Sequence, residues 1–175
     1  MIALLDRAYG LLVLSASASI VVSFCYGVYL TAKKRTATVF WLILAIALFN
    51  LCIHAVLFLI KDAARAEVRV AVNDIRNGKG QLFIDGKPVQ HFQSYLKALE
   101  ELQISAGSHS STILPCIAVA FRTTHDTVTV ELKRDSDRKD EYWVFYPKYK
   151  TTTLNRIGKV RGQLWHEWFE SNRHR

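Results

Sequence analysis

Two long apolar runs near the N-terminus constrain this chain more than any other feature. Residues 8–30 and residues 39–60 contain no Asp, Glu, Lys or Arg. Each run exceeds the roughly 20 residues that an α-helix needs to cross a hydrocarbon core of about 30 Å. Lipid offers the backbone no hydrogen-bond partners, so each run is expected to be helical. The sequence therefore predicts a hairpin of two transmembrane helices within residues 1–60.

A cleaved signal peptide and a buried soluble hairpin are the alternatives to two anchors. Residues 15–18 resemble a small-residue cleavage site, but the only basic residue before them is Arg7, which Asp6 offsets. The apolar run also continues well past that position. Helices in soluble cores are usually shorter and interrupted by charge. The first run is therefore expected to remain as a permanent anchor.

The linker between the two runs carries Lys33, Lys34 and Arg35 and no acidic residue. Basic residues in short flanking loops favour the cytoplasmic side of a membrane. Three basic residues shortly after the second run would favour the cytoplasmic side for the polar domain as well. They therefore weaken the preference for a cytoplasmic linker. We predict a multi-pass protein of the cell (inner) membrane whose polar domain, residues 61–175, is periplasmic or otherwise extracytoplasmic.

Small and polar residues recur at helical spacing within both runs. They are Ser15, Ser19, Ser23 and Gly27 in the first run and Asn50 and His54 in the second. Such residues form close contacts and hydrogen bonds between membrane helices. We expect them to close the hairpin, or to contact a second membrane protein or a second copy of this chain. A proton relay through His54 is the less favoured alternative, because neither run offers an acidic partner.

The polar part of the chain is basic, but its charge is spread out. Residues 61–175 contain nine Lys and ten Arg against fourteen Asp and Glu, a net charge of +5. An unclustered excess favours membrane lipid or an acidic protein as partner over nucleic acid. Only one of the three cysteines, Cys116, lies outside the apolar runs. A disulfide within the domain and a thiolate metal site are therefore excluded.

Turn signals and periodicity predict a small α+β domain. Asn77-Gly78 and Asp85-Gly86 indicate tight turns on either side of a short strand. The predicted strands cover residues 68–75, 81–84, 117–122, 128–133 and 142–146, and the predicted helices cover residues 92–102 and 163–170. Alternatively, the second apolar helix continues through residues 62–70. The expected fold is an antiparallel sheet of about five strands with one or two helices on one face.

The sequence offers little that resembles a catalytic or metal-binding motif. His109 lies among serines, but adjacent residues rarely form a catalytic triad. The acidic residues from 135 to 141 do not match an EF-hand, and His166-Glu167 lacks the HExxH spacing. We therefore predict no catalytic residue, cofactor or metal. A membrane-bound hydrolase that uses His109, His125 and Asp126 remains the outlying alternative.

Aromatic and basic residues gather in the last third of the chain and predict a binding surface. The candidate partner surface consists of Tyr142, Trp143, Tyr146, Lys148, Tyr149, Lys150, Trp165 and Trp168. About half of the aromatic side chains in this third are expected to be buried. The leading interpretation is a membrane-anchored, non-catalytic protein that binds a protein partner, such as an inhibitor, an immunity-type protein or an assembly factor. The alternative is a small accessory subunit that packs through its membrane helices against a transporter or secretion complex.

Overall fold

The computed structural model describes residues 1–13, 26, 28–29, 36–103, 112–124, 126–154 and 156–172. Its contacts divide the chain into two compact units, Met1–Ile60 and Lys61–Arg175.

The first unit is helical where it is described. Residues 2–13 form a helix, α1, and Thr36–Arg76 form one long helix, α2, that continues into the second unit. Within the described residues, α2 is the one helix that is long and apolar enough to cross a membrane, and only 11% of its most apolar window is buried. Most of the first apolar run lies outside the described residues, so the two-span hairpin stays a prediction.

The second unit is an α+β domain built on one antiparallel sheet of six strands. The strands are β1 (Gly80–Ile84), β2 (Lys87–Pro88), β3 (Thr112–Thr123), β4 (Thr127–Asp135), β5 (Glu141–Phe145) and β6 (Gly158–Arg161). The remaining helices are α3 (Gln93–Glu100), α4 (Lys150–Leu154) and α5 (Gln163–Asn172). The strand order is β2-β1-β3-β4-β5-β6. The predicted α+β class with an antiparallel sheet is confirmed.

Strand register brings the apolar residues into rows on the core face of the sheet. Leu82 pairs with Phe121, which pairs in turn with Val128. Two rows further along the sheet, Leu132 of β4 lies between Ile117 of β3 and Val144 of β5. Side chains alternate between the two faces of a strand, so each row lies on the same face as the next. These residues are buried and form the core of the sheet.

The first predicted strand, residues 68–75, is wrong, because these residues form the last two turns of α2. The prediction rested on Asn77-Gly78 as a hairpin turn that would pair these residues with the strand at residues 81–84. The buried positions follow helical spacing instead, since Val68, Ala71, Val72 and Ile75 are at most 2% exposed whereas Val70 is 61% exposed. Adding a residue to an existing helix is far easier than starting a new element, so the long preceding helix extends through them.

Of the two predicted turns, one joins strands and the other ends a helix. Asp85-Gly86 connects β1 to β2 with positive φ at both residues, as a tight hairpin requires. Gly78, at φ 73°, instead ends α2: its N–H donates to the carbonyl of Ile75, and the N–H of Lys79 donates to that of Asp74. This is the hydrogen-bond pattern of a Schellman cap, which needs the same positive φ.

Candidate functional site

An open groove of about 430 Å³ lies between α2 and the β3–β4 turn of the domain. Its apolar lining comes from Ala66, Val70 and Ala71 of α2 and from Val128 of β4. The polar lining consists of Glu67, Asp74, Thr123, Asp126 and Lys148. The groove therefore joins an apolar floor to a rim with three carboxylates and one ammonium group. Its volume lies within the range of about 300–1,000 Å³ that is typical of ligand pockets.

One side of the groove is organised around Glu67 of α2. Its carboxylate accepts hydrogen bonds from the Tyr146 hydroxyl at 2.5 Å, from the Lys148 ammonium at 2.7 Å and from the Tyr149 hydroxyl. All three donors come from the segment that follows β5. The Glu67 cluster, defined as Glu67, Tyr146, Lys148 and Tyr149, therefore fixes this segment against α2.

The Glu67 cluster stabilises the ionised form of the Glu67 carboxyl group. Partial burial disfavours ionisation of Glu67, but the hydrogen bonds from Lys148, Tyr146 and Tyr149 outweigh it and lower the pKa of the carboxyl group. Burial and the adjacent carboxylate raise the pKa of Tyr146, so this tyrosine remains a neutral donor. Lys148 pairs with Glu67 at 2.7 Å and also lies 4.0 Å from the Asp126 carboxylate, so one ammonium group is shared among the three carboxylates of the rim, which keeps a net negative charge.

Most aromatic residues of the predicted partner surface are buried in the core of the domain. Tyr142, Trp143, Tyr146, Tyr149 and Trp165 are between 0 and 7% exposed. Of the eight side chains predicted to form a partner surface, only Lys148, Lys150 and Trp168 reach solvent to a substantial degree. The five buried aromatic residues are therefore withdrawn from the binding surface, and more are buried than the expected half.

Contacts within the domain explain why aromatic and basic residues occur together. The guanidinium of Arg156 lies 4.3 Å from the centre of the Trp143 ring, and the Lys133 ammonium lies 4.5 Å from that of Phe145. Trp143 and Phe145 lie on the face of β5 opposite to Tyr142 and Val144. The basic side chains cover this second face with their aliphatic stems and make cation–π contacts to it. The sequence pattern indicates this covering rather than a partner.

Two of the residues predicted to close the membrane hairpin, Asn50 and His54, lie in the described part of α2. The side-chain amide of Asn50 donates to the carbonyl of Ile46 in its own helix at 2.9 Å, whereas His54 is exposed. The other residues predicted to set the packing and topology of the membrane hairpin lie outside the described residues: Ser15, Ser19, Ser23, Gly27, Lys33, Lys34 and Arg35. Their roles stay predictions.

The described part of the chain does not contain all three side chains that the hydrolase alternative requires. His109 and His125 lie outside it, and Asp126 lies at the rim of the groove, where its carboxylate accepts from the backbone N–H of Thr127 at 2.7 Å. Within the described ranges, no three His, Cys, Asp or Glu side chains converge in a way that would hold a metal ion. The question of catalysis therefore stays at the level of the sequence prediction.

Sequence reasoning missed the complete α2 wall of the groove because it assigned residues 68–75 to a strand. Glu67, Val70, Ala71 and Asp74 have the spacing i, i+3, i+4 and i+7, which places them on one face of a helix. Extending the second apolar helix to its cap at Gly78 would have revealed this face. No sequence pattern indicates that Val128 of β4 lines the groove, because its position there depends on tertiary packing.

Comparisons with protein-family models, with curated proteins and with solved structures each gave no match to this chain.

Proposed function

We propose that this chain is a membrane-anchored, non-catalytic protein whose α+β domain binds a protein partner through the groove beside α2. The observation that carries the proposal is the composition of the groove, which combines an apolar floor with an acidic rim. The domain as a whole is basic, with a net charge of +5. An acidic apolar groove on such a domain is complementary to a segment that carries both apolar and basic side chains.

Membrane anchoring is supported by the apolar side chains that α2 exposes. Phe40, Trp41, Ile43, Leu51 and Phe58 are each more than half exposed. Burying one side chain of this size contributes about 1.5–3 kcal/mol, so a helix that exposes several of them in water is disfavoured. Insertion into a bilayer removes this cost, because lipid tails are as apolar as the side chains.

The proposed topology has a second span in residues 8–30 and a cytoplasmic linker that contains Lys33, Lys34 and Arg35. In this arrangement the domain is extracytoplasmic, on the periplasmic side of an inner membrane. The partner would then be an extracytoplasmic protein or the extracytoplasmic segment of another membrane protein, in keeping with an inhibitor, an immunity-type protein or an assembly factor.

The side chains that line the groove determine which residues a partner segment should carry. Val70 is 61% exposed and provides an apolar contact that is open to a partner. Lys148 is held by Glu67 at 2.7 Å and reaches Asp126 only at 4.0 Å, so Asp74 and the exposed Asp126 carboxylate can each pair with a Lys or Arg of the partner. An extended or helical segment with apolar residues between basic ones fits this arrangement.

Reversing the charge of the rim is expected to weaken binding of a basic apolar peptide by about tenfold or more. The probe is a synthetic peptide of alternating Lys and Leu, titrated against the full chain in phosphatidylcholine nanodiscs. The test variant combines Asp74→Lys with Asp126→Lys. Asp137→Lys is the matched control, because Asp137 is exposed and does not line the groove.

Equal peptide affinity for the rim variant and the control would contradict the groove as the binding surface. Equal binding of a Glu and Leu peptide to the native chain would contradict the charge argument. Phosphatidylcholine has no net charge, so the peptide gains no attraction from the lipid surface itself.

A second candidate function is favoured by the exposure of His54. An imidazole on the apolar surface of a membrane helix is costly unless it finds a partner. A second copy of this chain or a helix of a larger membrane complex would supply that partner, as expected for an accessory subunit. In this case the main contacts would form around His54 rather than around Val70.

A further inference from the structure

The carboxylates of the groove differ in whether the chain itself supplies a cation to them. Glu67 and Asp74 lie two helical turns apart on α2, about 10.5 Å along the helix axis. Glu67 pairs with the Lys148 ammonium at 2.7 Å. Within the part of the chain that the structure describes, no basic side chain forms an ion pair with Asp74. The Glu67 end of the groove is therefore neutralised from within, whereas the Asp74 end keeps its negative charge.

Hydrogen bonds fix the position of the Lys148 ammonium at the Glu67 end. Its acceptor, Oε2 of Glu67, also accepts from the Tyr146 hydroxyl at 2.5 Å, and Oε1 accepts from the Tyr149 hydroxyl. The two tyrosines anchor the carboxylate independently of the lysine. A basic side chain of a partner would have to displace Lys148 in order to reach Glu67.

Lys148 also affects the third carboxylate of the groove, that of Asp126. The ammonium lies 4.0 Å from this carboxylate, too far for a strong hydrogen bond. The side chain of Asp126 is 67% exposed and that of Lys148 is 49% exposed, so a partner can approach both groups. A cation that pairs with Asp126 would lie close to the Lys148 ammonium, and the two like charges would repel each other.

We propose that Lys148 is a specificity-determining residue that competes with the basic side chains of the partner and thereby makes Asp74 their principal contact. It occupies the cation position at Glu67 and repels a cation that approaches Asp126. At Asp74 a Lys or Arg of the partner meets no such competition. The proposal rests on the proposed binding of a partner in the groove, and it adds the residue that limits the affinity and sets the register of that partner.

Removal of the Lys148 charge tests this role in the titration with the peptide of alternating Lys and Leu and the full chain in phosphatidylcholine nanodiscs. Lys148→Met should bind the peptide about fivefold more tightly than Lys150→Met. Lys150 is exposed and does not line the groove, so its variant changes the net charge equally. Lys148→Arg keeps the cation and should retain the native affinity. Glu67 keeps both tyrosine donors in each Lys148 variant, so the contact between α2 and this segment remains.

Substitution of the two aspartates separates local competition from a general charge effect. Asp126→Asn should weaken binding about twofold in the native chain but about tenfold in the Lys148→Met background, where no ammonium competes for Asp126. In the native chain Asp74→Asn should weaken binding more than Asp126→Asn does.

Three results would overturn the role of Lys148. They are equal affinities of Lys148→Met and Lys150→Met, equal effects of Asp126→Asn in the two backgrounds, and a larger effect of Asp126→Asn than of Asp74→Asn in the native chain. A native chain that binds the peptide no better than the variant with Asp74→Lys and Asp126→Lys would instead contradict the groove as the binding surface. The two failures are distinguishable, because the first leaves native binding dependent on the acidic rim.

Discussion

Replacing Trp165 with alanine is expected to destabilise the domain by about 3–5 kcal/mol. Trp165 of α5 is fully buried, and its ring centre lies 4.9 Å from that of Tyr95 in α3, in an edge-to-face contact. Removing the indole leaves a large cavity and ends this contact between the two helices. The loss is a large share of the 5–15 kcal/mol that is typical of a folded domain. Pulse proteolysis of the full chain in detergent across a urea series measures it.

Two further tryptophan variants test the packing explanation. The indole N–H of Trp165 is buried and has no hydrogen-bond partner among the residues that the structure describes. Trp165→Phe removes this unsatisfied donor while it keeps most of the ring, so its effect should be much smaller than that of alanine. Trp168→Ala should also cost less, because Trp168 is only half-buried and donates one bond, to Asp85 at 2.8 Å. Equal losses for Trp165→Ala and Trp168→Ala would contradict the assignment of Trp165 to the core.

Replacing Glu141 with glutamine is expected to cost about 2 kcal/mol near neutral pH. The Glu141 side chain is 3% exposed, and its carboxylate accepts from Lys159 at 3.0 Å and from two nitrogens of Arg161 at 3.0 and 2.8 Å. Glutamine has a similar shape but carries no charge, so Lys159, Arg161 and the exposed Arg138, 3.5 Å away, lose their counterion. The cost stays below that of a fully buried pair because Arg161 is half-exposed.

The effect of Glu141 should depend on pH with a defined sign. Burial opposes its ionisation, but the hydrogen bonds from Arg161 and Lys159 prevail, so the pKa of Glu141 in the folded domain is lowered. A lowered pKa adds stability above the unfolded value of about 4.3, and this stability is lost as the pH falls through the folded pKa. Urea series at several pH values should therefore show the native chain and Glu141→Gln converging in acid. The exposed Glu101→Gln is the control, and a constant difference down to low pH would contradict the ion-pair explanation.

Much of the domain fold follows from local pattern in the sequence. Residues 117–122 and 128–133 alternate with a period of two, and they lie within β3 and β4. The helical spacing of Tyr95, Leu96 and Leu99 predicts α3, and Leu96 and Leu99 are buried. These elements are predictable because each buries one face, so burial imposes its period on the sequence.

Other elements depend on contacts that the sequence does not display. The strand β6 has only four residues, Gly158–Arg161, and it forms by pairing with β5. The two-residue strand β2 likewise exists only as the second arm of the Asp85-Gly86 hairpin. Such short segments have no periodicity long enough to detect, so tertiary pairing decides their structure.

The candidate site also combines residues that the sequence pattern identifies with contacts that it does not reveal. The interpretation of Asn77-Gly78 as a hairpin turn concealed the helical face that carries Glu67, Val70 and Asp74. Aromatic residues near basic ones suggested a surface, but Trp143 and Phe145 are covered by Arg156 and Lys133 of the same domain. A sequence displays which side chains can interact, but not whether the partner lies within the chain or outside it.

Photocrosslinking in intact membranes tests the central claim, that the groove beside α2 binds a protein partner, most directly. A photoreactive phenylalanine analogue is placed at Val70 in the groove, at His54 in the apolar part of α2, or at the exposed Lys87 of β2. Crosslinked peptides are then identified by mass spectrometry. We expect an adduct from position 70, but not from position 87, whose partner segment carries Lys or Arg among apolar residues. Asp126→Lys should suppress this adduct, whereas an adduct from position 54 alone, or one from position 70 that Asp126→Lys does not change, would contradict the account.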